Sequence, residues 1–133
     1  MEAVIHQGKL EKPKGVKLIN NLQFNEKGLI PAIAQDADTG EVLMLGYMNE
    51  EALRRTLSSG EVWFYSRSRQ ELWHKGATSG NRIKVRSIWK DCDSDTILVI
   101  GQPTGPVCHT GNKTCFFQQL TEQDVEASQE KED

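Results

Sequence analysis

The sequence predicts a single α+β domain built on a mainly antiparallel sheet with one or two short helices. Three observations carry this. Short apolar runs at Ile30–Ala34, Val42–Tyr47, Val62–Arg67, Ile83–Trp89 and Thr96–Gly101 are bounded by turn residues, as strands are. One stretch, Asn49 to Gly60, repeats apolar residues at helical spacing with a cap signal at each end. The 133 residues suffice for one modest core, and neither a linker nor an internal repeat divides them.

In chain order, Met1 to about Asn20 is Lys-rich and weakly periodic and reads as a weakly structured N-terminal extension (1–20). A short element is expected near Val16–Phe24, opening a domain over 21–120. Asp36-Ala37-Asp38-Thr39-Gly40 carries turn chemistry, since Asp bonds its own backbone and Gly accepts positive φ. It joins Ile30–Ala34 to Val42–Tyr47 as a hairpin. Asn49 is placed to cap a helix, Glu50 and Glu51 favour its first turn, and Gly60 suits the position past its end. Ala52, Leu53, Thr56 and Leu57 form its apolar face. Gln70–Asn81 reads as a loop, and Ile83–Trp89, alternating with Lys84 and Arg86, as a strand with one wet face. Pro103-Thr104-Gly105-Pro106 is a rigid turn, and Phe116–Leu120 is expected to be a last strand. Thr121–Asp133 is an acidic tail, expected to be disordered or a frayed helix.

The formal net charge of −3 argues against a bulk nucleic-acid or membrane-surface binder, which normally shows a basic face. No apolar run reaches membrane-spanning length and the N-terminus lacks a signal pattern, so a cytoplasmic protein is the default expectation. Three cysteines do not make a closed disulfide framework. In a reducing compartment they are buried residues, nucleophiles or metal ligands.

Those cysteines, Cys92, Cys108 and Cys115, are spaced C-x15-C-x6-C, unlike the C-x2-C pairs of zinc fingers. They fit two readings: small buried hydrophobes, or thiolates holding Zn²⁺ with a fourth position left for water. Asp91, Asp93 and Asp95 alternate around Cys92 and Ser94. On an extended backbone their carboxylates share one side and Cys92 takes the other. Like charges so placed repel unless protonated or bridged by a hard cation such as Mg²⁺; a solvated acidic turn is the plainer reading. A calcium loop of the D-x-D-x-D type needs Gly and Glu where this chain has Thr96 and Gln102. His109, beside Cys108, suits a general base, a zinc ligand or a packed surface histidine. His6 receives no role, and His74, in the glycine-containing loop, is a candidate with no further support.

Ser66-Arg67-Ser68-Arg69 and Lys75-Gly76-Ala77-Thr78-Ser79-Gly80-Asn81 bring hydroxyls, cations and glycines together in an otherwise acidic chain. That is the chemistry of a phosphate cradle, or else of a solvated hairpin end. Ser66, Arg67, Arg69, Lys75, Thr78, Ser79, Gly80 and Asn81 are the candidate substrate contacts. Neither stretch matches the P-loop or the dinucleotide fingerprint.

Trp63-Phe64-Tyr65-Ser66-Arg67-Ser68-Arg69, Lys75-Gly76 with Thr78-Ser79-Gly80-Asn81, Asp91-Cys92-Asp93-Ser94-Asp95, and Gly105-Pro106-Val107-Cys108-His109-Thr110-Gly111 with Cys115-Phe116 together resemble phosphoribosyl-AMP cyclohydrolase of histidine biosynthesis. The resemblance covers about Leu29 to Phe117, and the motifs are long and in order. It implies a homodimeric metalloenzyme with zinc on Cys92, Cys108 and Cys115 and magnesium on Asp91, Asp93 and Asp95. It also implies a zinc site shared between chains, Cys92 of one meeting Cys108 and Cys115 of the other. The implied reaction is hydrolytic opening of the adenine ring of N1-(5-phosphoribosyl)-AMP between N1 and C6; that His109 is the base is a hypothesis from its place beside Cys108. The family usually has Glu in the Lys-Gly-Glu stretch where this chain has Ala77, so that carboxylate's role is absent or supplied elsewhere. Some relatives continue into a pyrophosphohydrolase domain; the short tail here implies a monofunctional enzyme. Two other functions fit the same residues: a non-catalytic zinc-stabilised binding module with His109 as fourth ligand, and a metal-dependent phosphohydrolase using the aspartates.

Overall fold

The computed structural model describes residues 5–6, 9–10, 19 and 21–125. Two short strands, β1 (Ile5–His6) and β2 (Lys9–Leu10), pair antiparallel within the stretch expected to be weakly structured. Most of the remaining N-terminal extension, and the acidic tail beyond a helical turn at 122–125, lie outside the described residues. The element expected near Val16–Phe24 is irregular where it is described, yet Leu22 is buried and Ile19 and Phe24 pack against the core.

The main sheet has four strands in the order β4-β3-β8-β7. β3 (Ile30–Asp36) and β4 (Val42–Met48) form the expected hairpin, Ile30 opposite Met48. The turn between them is built as its residues dictate: Asp36 Oδ1 accepts from the amides of Asp38 (2.8 Å) and Thr39 (3.2 Å). β7 (Ile83–Lys90) and β8 (Ile97–Pro103) form a second antiparallel pair, bulged at Arg86. β3 and β8 join the two hairpins in parallel, a long-range pairing that no local pattern announces.

The helix α1 (Glu50–Ser59) follows β4 with the predicted caps. Asn49 Oδ1 accepts from the amide of Ala52 at 2.8 Å, and Gly60 ends the helix in the left-handed conformation. Ala52, Leu53 and Thr56 face inward, while Leu57 is half-exposed. Thr56 Oγ1 donates to the carbonyl of Ala52 and accepts from the amide of Trp63, which fixes the start of the next strand.

That strand, β5 (Trp63–Ser66), pairs with β6 (Glu71–His74), and this corrects the reading of Gln70–Asn81 as all loop. The turn at Arg67–Gln70, with Gln70 at φ 55°, folds the chain back so that Trp63 meets His74. The strand is four residues long, too short for a period-two pattern to show. Phe116–Leu120 is not a strand, a second correction. Only Thr114 and Cys115, just before it, bond to β4, and Phe116, Phe117 and Leu120 are left exposed.

α1 and the β5–β6 hairpin cover one face of the sheet. Ile30, Ala32, Met48, Ile97, Val99 and Ile83 meet Ala52, Leu53, Val62 and Phe64 there. Gly46 lies so close to the Phe64 ring that a Cβ would stand 2.6 Å from it. The other face places Ile33, Leu45, Leu98, Trp89 and Ile100 side by side through the strand registers. Leu45 is 45% and Trp89 60% exposed. Among the described residues no helix is long and apolar enough to cross a membrane.

Candidate functional site

The C-terminal ends of β6 and β8 open into one cleft of about 680 Å³. Its walls include Arg69, Lys75, Thr78, Ser79 and Asn81 from the hairpin side and Cys108 and His109 from the loop after β8. The structure thus brings together two stretches that the sequence holds about thirty residues apart. Ser66 and Arg67 lie on the opposite side of the β5–β6 hairpin, in a second, smaller cleft with Arg69; Arg67 there stacks on the Tyr47 ring at 4.1 Å. Gly80 does not line the first cleft; its carbonyl accepts from Thr104 Oγ1. Ala77, where the family usually has Glu, is exposed on the cleft wall.

The loop carrying Cys108 and Cys115 is closed by its own backbone: Val107 and Cys108 donate to Lys113 and Asn112, and Gly111 donates back to Cys108. Three further links hold it to the domain. The amide of Cys115 donates to Leu43, Thr114 Oγ1 donates to Val42, and Lys113 pairs with Asp36 and Glu41. Thr110 Oγ1 donates to Cys108 Sγ at 3.0 Å. That hydroxyl, with the Thr110 amide, holds the Cys108 thiol below its ordinary range against the opposing effect of burial, and the neighbouring Cys115 and Lys75 add to the lowering. Burial, and then Cys108 beside it, push the Cys115 thiol up. The two sulfurs therefore act as one pair, with Cys108 the more acidic member.

Asp91, Asp93 and Asp95 also converge, with carboxylate oxygens within 4.8 Å of one another. The backbone that does this is not the extended one expected from the alternation. It is a tight turn, with Ser94 at φ 63° and Asp91 Oδ1 accepting from the amides of Asp95 and Thr96. Burial raises Asp91, but hydrogen bonds from Asp95 and from these amides outweigh it and hold the carboxyl low. Asp95 is pushed up by its hydrogen bonds to Asp93 and Asp91. Carboxylates gathered so closely repel one another, and a hard cation would relieve that repulsion.

Cys92 belongs to this turn and not to the thiol pair. Among the described residues the aspartate trio is the one group of three or more metal-ligating side chains that converges. The turn sits where β8 begins, and the cleft opens past its end. The seven-residue strand β8, roughly 23 Å long, lies between the turn of Cys92 and the loop of Cys108, and Cys92 does not converge with Cys108 and Cys115.

Sequence reasoning left His74 a candidate without support. Its ring stacks flat on Trp63, centroids 4.5 Å apart, and its Nε2 lies 2.7 Å from Glu61 Oε1. Trp73, Glu71 and His74 all line the cleft. The hairpin register that places them is tertiary information; the local signal is the aromatic pair Trp73-His74 beside Leu72.

Fold and site together define a small α+β protein that presents a thiol pair beside a cleft walled by cations and hydroxyls, with a carboxylate cluster at the far end of the sheet. The family model for phosphoribosyl-AMP cyclohydrolase matches residues 44–117. Phosphoribosyl-AMP cyclohydrolase of Listeria innocua is 56% identical over 104 residues, covering 78% of this chain and 98% of that protein. The histidine biosynthesis bifunctional proteins HisIE of Bacillus subtilis and Oceanobacillus iheyensis are 56% and 55% identical over 108 and 107 residues. Those matches cover 81% and 80% of this chain and 52% and 50% of the relatives, so the chain spans about half the length of these bifunctional proteins. The chain belongs to the phosphoribosyl-AMP cyclohydrolase family.

Proposed function

We propose that this protein hydrolyses the adenine ring of N1-(5-phosphoribosyl)-AMP between N1 and C6, a step of histidine biosynthesis. The observation that carries the reading is the cleft itself: Arg69, Thr78, Ser79 and Asn81 face Cys108 and His109 across one space. Cations and hydroxyls suit a phosphorylated substrate. The chain's own residues then divide the work. Asn81, Ser79 and Thr78 orient the nucleotide, Arg69 offers charge to a phosphate, and His109, exposed beside Cys108, takes the proton of the hydrolytic water.

The donor sets fit two different cations. The Cys108–Cys115 pair is soft and suits zinc, and the aspartate cluster is hard and suits magnesium. Zinc held there would lower the pKa of the hydrolytic water toward neutrality. Two thiols leave a zinc site short of ligands, and Cys92 of the same chain does not converge with them. Our reading gives the third thiolate to a second copy in a homodimer. The apolar open face of the sheet, with Leu45 and Trp89 at its edges, is surface that such a dimer would bury. A reducing cytoplasm keeps three free thiols available as ligands.

The test is direct. Purified protein supplied with zinc and magnesium is mixed with N1-(5-phosphoribosyl)-AMP, and the ultraviolet spectrum is followed as the purine chromophore opens. Turnover is expected. Bound metal with no turnover of this substrate would refute the assignment and favour a binding module.

A further inference from the structure

Lys75 stands in the stretch that the sequence reads as a phosphate cradle, yet its side chain does not face outward. The residue is 7% exposed, and Nζ donates to the carbonyl of Val107, the residue before Cys108, at 2.6 Å. The Trp73 ring lies 5.8 Å from the same nitrogen. Among the described residues no carboxylate makes an ion pair with it. A buried ammonium needs an anion nearby, because one neutral carbonyl does not offset the loss of water. Burial works against the Lys75 charge, and the groups beside it that can turn anionic and oppose that effect are the sulfurs of Cys115 and of Cys108, the residue after Val107.

We infer that Lys75 is the buried counter-charge and positioning residue of the Cys108–Cys115 pair, and not a ligand of the substrate's phosphate. The inference rests on the reading that these thiols hold zinc. Three thiolates around Zn²⁺ leave one net negative charge in the site. A fixed ammonium beside two of them neutralises that charge where the dielectric is low. Metal binding turns neutral thiols into thiolates, so a neighbouring cation favours the loaded state. The bond to Val107 fixes the backbone that delivers Cys108, and the backbone carries the constraint onward. The amide of Lys75 donates to Val62. Gly76 then turns at φ 90° against the carbonyl of Asn81, in a space that admits no Cβ. Metal loop and substrate loop are thereby held in one register by one side chain.

The experiment compares wild type, Lys75→Met and Lys75→Arg, each as the full chain. Zinc affinity is measured by competition with a chromophoric chelator, the metal-free melting temperature is recorded, and KM and kcat are measured at saturating zinc. Lys75→Met is expected to lose roughly 10- to 100-fold in zinc affinity, the usual effect of removing a partner of a metal ligand. Its metal-free form should melt no lower than wild type, since a buried charge has been removed. KM should be unchanged while kcat falls. Lys75→Arg, which keeps the charge, should lie between the two in zinc affinity. Wild-type zinc affinity in Lys75→Met, with KM raised tenfold or more, overturns the inference and makes Lys75 a phosphate ligand. A wild-type protein that binds no zinc overturns the metal reading and the Lys75 inference with it, a result distinct from a zinc-binding wild type and an indifferent variant. Should Lys75→Met fail to fold, Lys75→Gln takes its place under the same readouts.

Discussion

Lys113 Nζ stands 3.1 Å from Asp36 Oδ2 and 2.6 Å from Glu41 Oε1, so the thiol loop is moored by charge to the turn between β3 and β4. Asp36 is held below its ordinary value of 3.8, first by the amide of Asp38, with Lys113 and Thr39 assisting and burial opposing. Lys113 is raised above 10.5 by Glu41 and Asp36. A depressed carboxylate stabilises the fold above its unfolded pKa, and the benefit is lost as pH falls through the folded value. A raised lysine stabilises below its unfolded pKa and fails as pH rises through the folded value. Denaturant midpoints of wild type should therefore fall below about pH 4 and again above about pH 10.5, and Lys113→Met should flatten both limbs. Asp36→Ala, which removes the charged acceptor of the Asp38 and Thr39 amides, should cost about 1–3 kcal/mol at neutral pH. Midpoints of Lys113→Met that track wild type at both extremes would show that the mooring carries no stability.

Gly105 lies against the side chain of Asn81, and a Cβ there would collide with Oδ1. The obstacle is the tip of a flexible side chain, so Gly105→Ala should fold. It should displace Asn81 from the cleft wall, and kcat/KM should drop by roughly 10- to 100-fold with little change in melting temperature. Unaltered kinetics would remove Asn81 from the substrate contacts.

Asp93→Asn should weaken magnesium binding while zinc content stays close to wild type, because the carboxylate cluster and the thiol pair sit at opposite ends of β8. Metal analysis after dialysis reads both ions in one sample. Equal loss of both from a folded variant would contradict two independent sites.

His109→Ala should retain zinc and lose roughly two to four orders of magnitude in rate, the range for a missing general base. Loss of stoichiometric zinc would make His109 a ligand, and an unchanged rate would leave it neither ligand nor base.

Mixing inactive Cys92→Ser chains with inactive Cys108→Ser/Cys115→Ser chains tests whether the site is shared. After joint unfolding and refolding, a heterodimer holds one complete set of thiols and one site lacking all three. Activity should return to about half of wild type per heterodimer by symmetry. Heterodimers that form and stay inactive would place all ligands within one chain.

The local chemistry of the chain settles a good deal alone. The cap at Asn49, the turn at Asp36, the first hairpin of the main sheet and the long motifs around Ser66, Lys75, Asp91 and Cys108 follow from residues close in sequence, because turns and caps are decided by neighbours. Tertiary structure decided the rest. β6 is four residues long and exists only through its pairing with β5. Phe116–Leu120 has strand composition but finds no edge to complete. The aspartates gather through a turn stabilised by Asp91 itself, where alternation along the sequence suggested an extended strand. Above all, the parallel pairing of β3 with β8 sets the thiol loop beside the hairpin and leaves Cys92 a strand's length away. Lys75, which its sequence neighbours mark as a candidate substrate contact, is buried against Val107. Distances between loops depend on how strands stack, and strand stacking is a long-range choice made by burial of the whole sheet, which no short window of sequence contains.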